Sequence, residues 1–216
     1  MIEAFLFDLD GTLLDSEILW VEAIKQALSE RGYEITDQEA LKLVYGRAWT
    51  EIREEIRERF PGADTPENPL EPHTERIFRT LREKMDVRIP SSVELLVSLG
   101  KRFPVAIVSG STRSMIAESI RLLGIEPYVR LYVGTEDYGP GKPDPACFLI
   151  AAQRLEVPPR KCLVFEDSEA GVKAAKAAGM ICVALKRPGR PDQNVSEADE
   201  ILTDLRQFEL EKYSSG

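Results

Sequence analysis

The sequence predicts an α/β protein: a parallel sheet with helices on both faces, carrying an all-helical module inserted after the first strand. Three observations predict it. A short apolar run, Ile2–Leu9, opens the chain. Residues from about 16 to 87 hold helical patterns and no convincing strand. After Pro90, short apolar runs alternate with helical patterns to the end, the signature of a parallel sheet covered on both sides.

The first run is aromatic-rich and suits a buried strand. From Glu17 to Arg31, Leu19, Ala23, Ala27 and Leu28 fall near helical spacing, and Gly32 closes the stretch. Glu39–Val44, Trp49–Phe60 and Thr74–Met85 also read as helices, with Pro61, Pro66, Pro69 and Pro72 breaking the path between the last two. Beyond Pro90 the expected order is helix Val93–Leu99, strand Val105–Val108, helix Arg113–Leu123, strand Val129–Val133, helix Ala146–Leu155 and strand Cys162–Phe165. Helix Gly171–Ala178, strand Ile181–Leu185, a weaker strand Glu200–Leu202 and a short final helix complete it. The expected organisation is a core of residues 1–15 and 88–216 with a helical domain of residues 16–87.

The 216 residues are 43% apolar and 30% charged, an ordinary globular balance. No apolar run approaches the ~18 residues of a spanning helix, and the start lacks the basic residues and cleavage site of a signal peptide. A cytoplasmic protein without membrane partners is expected. The formal charge of −9 argues against nucleic acid, whose backbone needs a basic surface. Small phosphorylated molecules need only a local cation cluster. Cys147, Cys162 and Cys182 lack metal-type spacing and read as small buried hydrophobes.

Four short stretches follow apolar strands, where open parallel sheets bind ligands. In Asp8-Leu9-Asp10-Gly11-Thr12, residues two apart on extended chain point to one side, so both carboxylates face one site. Such a pair is costly without a cation or a proton. Asp8 reads as a nucleophile and Asp10 as a general acid and base. A carboxylate ~4 Å from a phosphate meets roughly 4 kcal/mol of repulsion per charge pair at an effective dielectric of 20. A divalent cation and a lysine are therefore needed.

Lys142 lies in Gly139-Pro140-Gly141-Lys142-Pro143-Asp144-Pro145, a loop that Pro143 keeps out of helix, with Asp144 and Pro145 as cap and first position of the next helix. A P-loop is excluded, because Glu136 and Pro143 stand where glycine and a hydroxyl residue are required. Phe165-Glu166-Asp167-Ser168 supplies adjacent acids at a strand end, oxygen ligands suited to Mg²⁺, and a serine to cap the next helix. Ser109-Gly110-Ser111-Thr112 opens another helix, where backbone N–H groups and the Ser109 hydroxyl suit phosphate oxygens.

Together, Asp8-x-Asp10-Gly11-Thr12, Ser109, Gly141-Lys142-Pro143-Asp144 and Glu166-Asp167-Ser168-x-x-Gly171 resemble the haloacid dehalogenase superfamily, in the branch with a helical cap after the first strand. The motifs stand in that family's order and span essentially the whole chain. The resemblance implies a Rossmann-like core and Mg²⁺-dependent phosphoryl transfer through an aspartyl phosphate on Asp8. It implies Asp10 as acid and base, and Ser109 and Lys142 on the transferring phosphoryl group. Mg²⁺ would be held by the Asp8 carboxylate, the Asp10 carbonyl and Asp167, with Glu166 direct or through water. Thr12, Gly110 and Ser111 are expected beside the substrate. Dehalogenases lack the second acid, so Asp10 favours phosphoryl transfer.

The resemblance also covers β-phosphoglucomutases, which have a small apolar residue where this chain has Thr12 and a histidine near the position of Trp20. Both departures favour a phosphatase of small phosphate monoesters over a mutase; a non-catalytic metabolite-binding relative is the third reading. Phosphonate hydrolases use a cap lysine, and Lys25 and Lys42 match by position only. In the cap, Tyr45-Gly46-Arg47-Ala48-Trp49 resembles the specificity loop, with Arg47 for a distal anionic group and Trp49 or Trp20 walling the pocket, or else as core aromatics. His73 is expected on the surface of a proline-rich loop. Linkers near Leu14–Glu17 and Asp86–Ser91 are expected to let the cap move. A monomer or homodimer is expected.

Overall fold

The computed structural model describes residues 1–44, 49–190 and 192–213. The chain divides into two compact units, Met1–Leu14 with Arg88–Gly216, and Asp15–Val87. The two crossings between them run side by side: Leu14 bridges Arg88 in the first unit, and Asp15 N–H donates to the Val87 carbonyl in the second at 2.7 Å.

The first unit is built on a six-stranded parallel sheet: β1 (Ala4–Phe7), β2 (Val105–Val108), β3 (Leu131–Val133), β4 (Cys162–Glu166), β5 (Ile181–Leu185) and β6 (Glu200–Leu202). Their spatial order is β3-β2-β1-β4-β5-β6. The chain order reverses between β1 and β4, so a crevice for ligand opens at the carboxyl ends of these two strands. Phe7 is in register with Ile107 on one side and Phe165 on the other. Asp8 therefore emerges one residue past the last rung, beside Val108–Ser109 and Phe165–Glu166.

Strand alternation divides the core. Ala4, Leu6, Ala106, Val108, Val164 and Cys182 face a cluster completed by Phe148, Ala151, Val172 and Ala175. On the other side Phe7 and Phe165 stack with ring centroids 4.5 Å apart, and Phe208 meets Phe165 edge-on at 5.0 Å. The central strands read as apolar runs because both faces are buried. Cys147, Cys162 and Cys182 are free and buried, and burial raises all three thiols.

The second unit holds α1 (Ser16–Ser29), α2 (Asp37–Val44), α3 (Trp49–Arg59) and α4 (Leu70–Lys84). Helix α4 starts four residues earlier than the expected Thr74, with Pro72 inside its first turn. There the missing proline N–H has no helical partner to lose, so Pro72 does not break the helix. Asp64 holds this start, accepting from the Leu70 N–H at 2.8 Å and from Arg57 Nε at 2.8 Å.

His73 is correspondingly not in a loop. It lies in α4, half-buried, with Nε2 2.6 Å from Glu30 and Nδ1 2.9 Å from Arg31. Trp20 stacks on Phe78 at 4.1 Å and meets Trp49 at 6.0 Å, so both tryptophans pack within this unit. Lys25 is paired with Glu22 and Asp37.

The remaining helices, α5 (Pro90–Gly100), α6 (Arg113–Leu123), α7 (Ala146–Leu155) and α8 (Glu169–Ala177), belong to the first unit. Residues Glu126–Tyr128 form a 3₁₀ turn, so β3 starts at Leu131 and not at Val129. The final helix is two 3₁₀ turns, Leu205–Gln207 and Leu210–Tyr213.

Asp137 fastens α6 to α7, accepting from Arg113 Nη1 at 2.7 Å, Arg154 Nη2 at 2.8 Å and the Gly134 N–H at 2.9 Å. Burial works to raise its pKa, but these donors outweigh burial and hold it at about 2, below the ordinary 3.8. A depressed carboxylate stabilises the fold above its unfolded pKa and loses that contribution as pH falls through the folded value. Asp137→Asn is expected to cost about 2 kcal/mol at pH 6 and almost nothing at pH 2. Urea unfolding of both proteins at the two pH values measures the difference.

Candidate active site

Two loops and two strand ends build the candidate site, all within the first unit. Asp8 follows β1, and its N–H donates to the Phe165 carbonyl at 2.9 Å. Glu166 ends β4, and Asp167 follows it. Lys142 comes from the loop before α7, across a cis Lys142–Pro143 peptide bond. Its Nζ lies 2.6 Å from Asp8 Oδ1, 2.6 Å from Glu166 Oε1 and 3.3 Å from the Val108 carbonyl. It also stands 5.0 Å from the centre of the Phe148 ring.

Glu166 is fully buried and points back over the start of α8. Its Oε2 accepts from the N–H groups of Asp167 and Ser168, each at 2.9 Å, and from the Ser168 hydroxyl at 3.0 Å. Helix N-terminal N–H groups and the helix dipole both favour a carboxylate there. Ser168 Oγ in turn accepts from Gly171 N–H, capping α8 as its sequence position suggested. A Cβ on Gly171 would lie 1.8 Å from Glu166 Oε1. Gly171→Ala is therefore expected to displace Glu166 and lower the melting temperature by about 2–12 °C, from ~1–3 kcal/mol of overpacking. A thermal melt decides this, and an unchanged one would mean that the carboxylate relocates freely.

Asp10 is oriented by two hydroxyls. Ser109 Oγ and Ser111 Oγ donate to its Oδ2 at 3.1 and 3.0 Å, and Ser109 Oγ accepts from Ser111 N–H at 3.0 Å. Ser109 does not cap α6; Thr112 does, accepting from Met115 N–H. Gly110 is exposed, with open space where a side chain would stand. Thr12 is fully buried, and its hydroxyl faces Asp167 Oδ1 at 3.4 Å. The Thr12 hydroxyl is thus turned to a carboxylate of the site. Gly11, at φ +91°, passes so close to Asp167 that a Cβ would lie 2.0 Å from Oδ2.

Asp144 and Pro145 are each one position earlier than expected relative to α7, which starts at Ala146. The Asp144 carboxylate still accepts the Ala146 N–H at 2.9 Å. Arg47 lies outside the described residues, as do Tyr45, Gly46 and Ala48.

Side-chain oxygens of Asp8, Glu166 and Asp167 lie within 4.8 Å of one another, the spacing of a cation cage. The Asp10 carboxylate is not in this group, being turned to the serines. Asp8 Oδ2 is buried with no hydrogen-bond partner among the described residues. Burial, then the neighbouring charges of Glu166 and Asp10, push the Asp8 pKa up against the pull of Lys142. Burial also disfavours the Lys142 ammonium, but Asp8 and Glu166 outweigh it and hold its pKa well above the usual value. One ammonium among three carboxylates leaves surplus negative charge, and the donors are all hard oxygens. The residues fit Mg²⁺.

Residues 2–179 match the model of haloacid dehalogenase-like hydrolases. The chain belongs to the haloacid dehalogenase-like hydrolase family. Among the relatives of this hydrolase, the phosphorylated carbohydrates phosphatase of Thermotoga maritima is 33% identical over 83% of this chain and 82% of its own. Hexitol phosphatase A of Escherichia coli is 30% identical over 99% and 96%. A crystal structure of a putative β-phosphoglucomutase from T. maritima superposes with a TM-score of 0.82 at 26% identity, covering 99% of this hydrolase and all of that chain. A haloacid dehalogenase family hydrolase from Deinococcus radiodurans, with bound phosphate and sodium, gives 0.81 at 27% identity over 98% and 95%. The sheet and its helices are those of this Rossmann-like fold, and no helix among the described residues is long and apolar enough to cross a membrane.

Tyr138 and the bridging part of Glu166 are what sequence reasoning missed. Tyr138 donates from its hydroxyl to the Ser109 carbonyl at 3.0 Å. No motif marks it; only its place four residues before Lys142 hints at a role.

Proposed function

We propose that this hydrolase is a Mg²⁺-dependent phosphatase of small phosphorylated sugars, working through an aspartyl phosphate on Asp8. The observation that carries the proposal is the meeting of Asp8 with Lys142, Glu166 and Asp167, with the buried Asp8 Oδ2 left unpartnered. The Asp8 carboxylate attacks phosphorus as the bond to the sugar oxygen breaks, and Asp10 gives its proton to that leaving oxygen. Asp10 then takes a proton from water, whose oxygen attacks phosphorus and releases phosphate and free Asp8. Lys142 neutralises charge on the transferring group, and the serines keep the Asp10 carboxyl aimed. Asp8, Asp167 and the Asp10 carbonyl would hold Mg²⁺, which would supply the positive charge that offsets repulsion between Asp8 and the phosphate dianion. Three donors already occupy Glu166 Oε2, which supports a role for Glu166 through water or through Lys142.

The sugar class rests on the relatives' names, which speak of phosphorylated carbohydrates, a hexitol and fructose 1-phosphate. Residues 16–87 are proposed as the cap that selects among such substrates, with Arg47 for a distal anionic group and Trp20 and Trp49 for the sugar face. Likeness to a putative β-phosphoglucomutase favours a mutase as the second reading. A sugar-phosphate panel with Mg²⁺ separates the two: free phosphate and free sugar support the phosphatase, and an isomerised sugar phosphate supports the mutase. Phosphate release that persists in excess chelator would refute the metal requirement.

A further inference from the structure

The loop that delivers Lys142 is fastened to the end of β2 at two successive carbonyls. Lys142 Nζ reaches the Val108 carbonyl at 3.3 Å, and Tyr138 OH donates to that of Ser109 at 3.0 Å. Ser109 is fully buried, and its N–H continues the ladder to the Val133 carbonyl at 3.1 Å. Its position is therefore set by the sheet on one side and by Tyr138 on the other. From there its hydroxyl donates to Asp10 Oδ2 and receives Ser111 N–H, while Ser111 donates to the same Asp10 oxygen.

We propose that Tyr138 is a positioning residue for the phosphatase reaction, acting through Ser109 to hold the Asp10 carboxyl and the phosphoryl cradle in register with Lys142. This rests on the phosphatase reading above. The Tyr138 ring packs against the apolar cluster beneath α7, which anchors the hydroxyl on the core and not on a mobile tip. Burial raises the phenol above its ordinary pKa, so it remains a donor throughout neutral pH. Without that donor, the carbonyl of the 109–110 peptide loses its hydrogen bond, and the ladder bond of the Ser109 N–H holds only the preceding 108–109 peptide. Rotation of this peptide about the Ser109 Cα–C bond shifts the Ser111 N–H and hydroxyl against the Ser109 hydroxyl and Asp10, and sub-ångström drift at reacting groups is costly to rate.

Tyr138→Phe keeps the ring and removes only the donor. It is expected to lower kcat at least about tenfold while KM stays within about twofold, because the loss falls on the reacting geometry and not on sugar binding. The deciding measurement is a double-mutant cycle with Ser109→Ala. If Tyr138 acts through Ser109, the double variant loses clearly less than the product of the two single-variant losses. Fully additive losses, or a Tyr138→Phe enzyme with wild-type kcat, overturn the proposal. Assays run at a temperature where melting curves show every variant folded, so reduced stability is not mistaken for misalignment. If the wild-type enzyme releases no phosphate from any sugar phosphate, the parent reading falls and takes this role with it. Wild-type release with an indifferent Tyr138→Phe removes the positioning role alone.

Discussion

Asp8→Asn is expected to abolish phosphate release, by at least about a thousandfold in kcat, while leaving the metal-free protein as stable as wild type or more so. The first effect follows from chemistry, since an amide does not form an acyl phosphate in this way. The second follows from electrostatics. Asp8 is buried beside Glu166 and Asp10, and burial with their repulsion outweighs the attraction of Lys142, so its ionised form opposes folding. Asparagine removes the charge and keeps an oxygen for the lysine. A carboxylate held at a cost to stability is the usual trade-off of a working site. Phosphate assays beside thermal melts in chelator test both halves. Retained turnover would remove Asp8 as nucleophile, and a large drop in melting temperature would remove the electrostatic account.

Lys142→Met is expected to do the opposite to stability. Methionine fills similar space against Phe148 but leaves Asp8 and Glu166 without the ammonium 2.6 Å from each. Removing one partner of a buried ion pair costs about 3–5 kcal/mol, which for a chain of this length lowers the melting temperature by about 6–20 °C. Turnover should fall at least about a hundredfold, because the transferring phosphoryl group loses its fixed cation. Added Mg²⁺ should recover more stability in this variant than in wild type, since binding to the folded state stabilises it by mass action. Equal Mg²⁺ responses would show that the ammonium and the carboxylate group are not electrostatically linked.

The core was legible where burial on two faces leaves an unambiguous pattern. Strands Val105–Val108 and Ile181–Leu185 and helices Arg113–Leu123 and Ala146–Leu155 stand where apolar runs and periodicity put them. Element ends were less legible, because local chemistry there allows more than one outcome. Pro72 is a breaker inside a helix and harmless in its first turn, and nothing in the proline-rich segment distinguishes the two before Asp64 is seen holding Leu70.

Residues 8, 142, 166 and 167 meet because each ends a strand of one sheet or lies in the loop after one, which order along the chain foreshadows. What each atom does is set by contacts over 99 to 155 residues, as in Ser109 with Asp10 and Thr12 with Asp167. No local pattern encodes those. Thr12 shows the consequence, since nothing beside Asp-Gly in the chain announces its contact with Asp167.

The pairing of β1 has a consequence for how this enzyme comes into being. Phe5 lies opposite Val105, and Phe7 opposite Phe165, so the strand made first waits for neighbours synthesised roughly a hundred residues or more later. Asp8 thus acquires its surroundings only when the distant halves of the chain have joined.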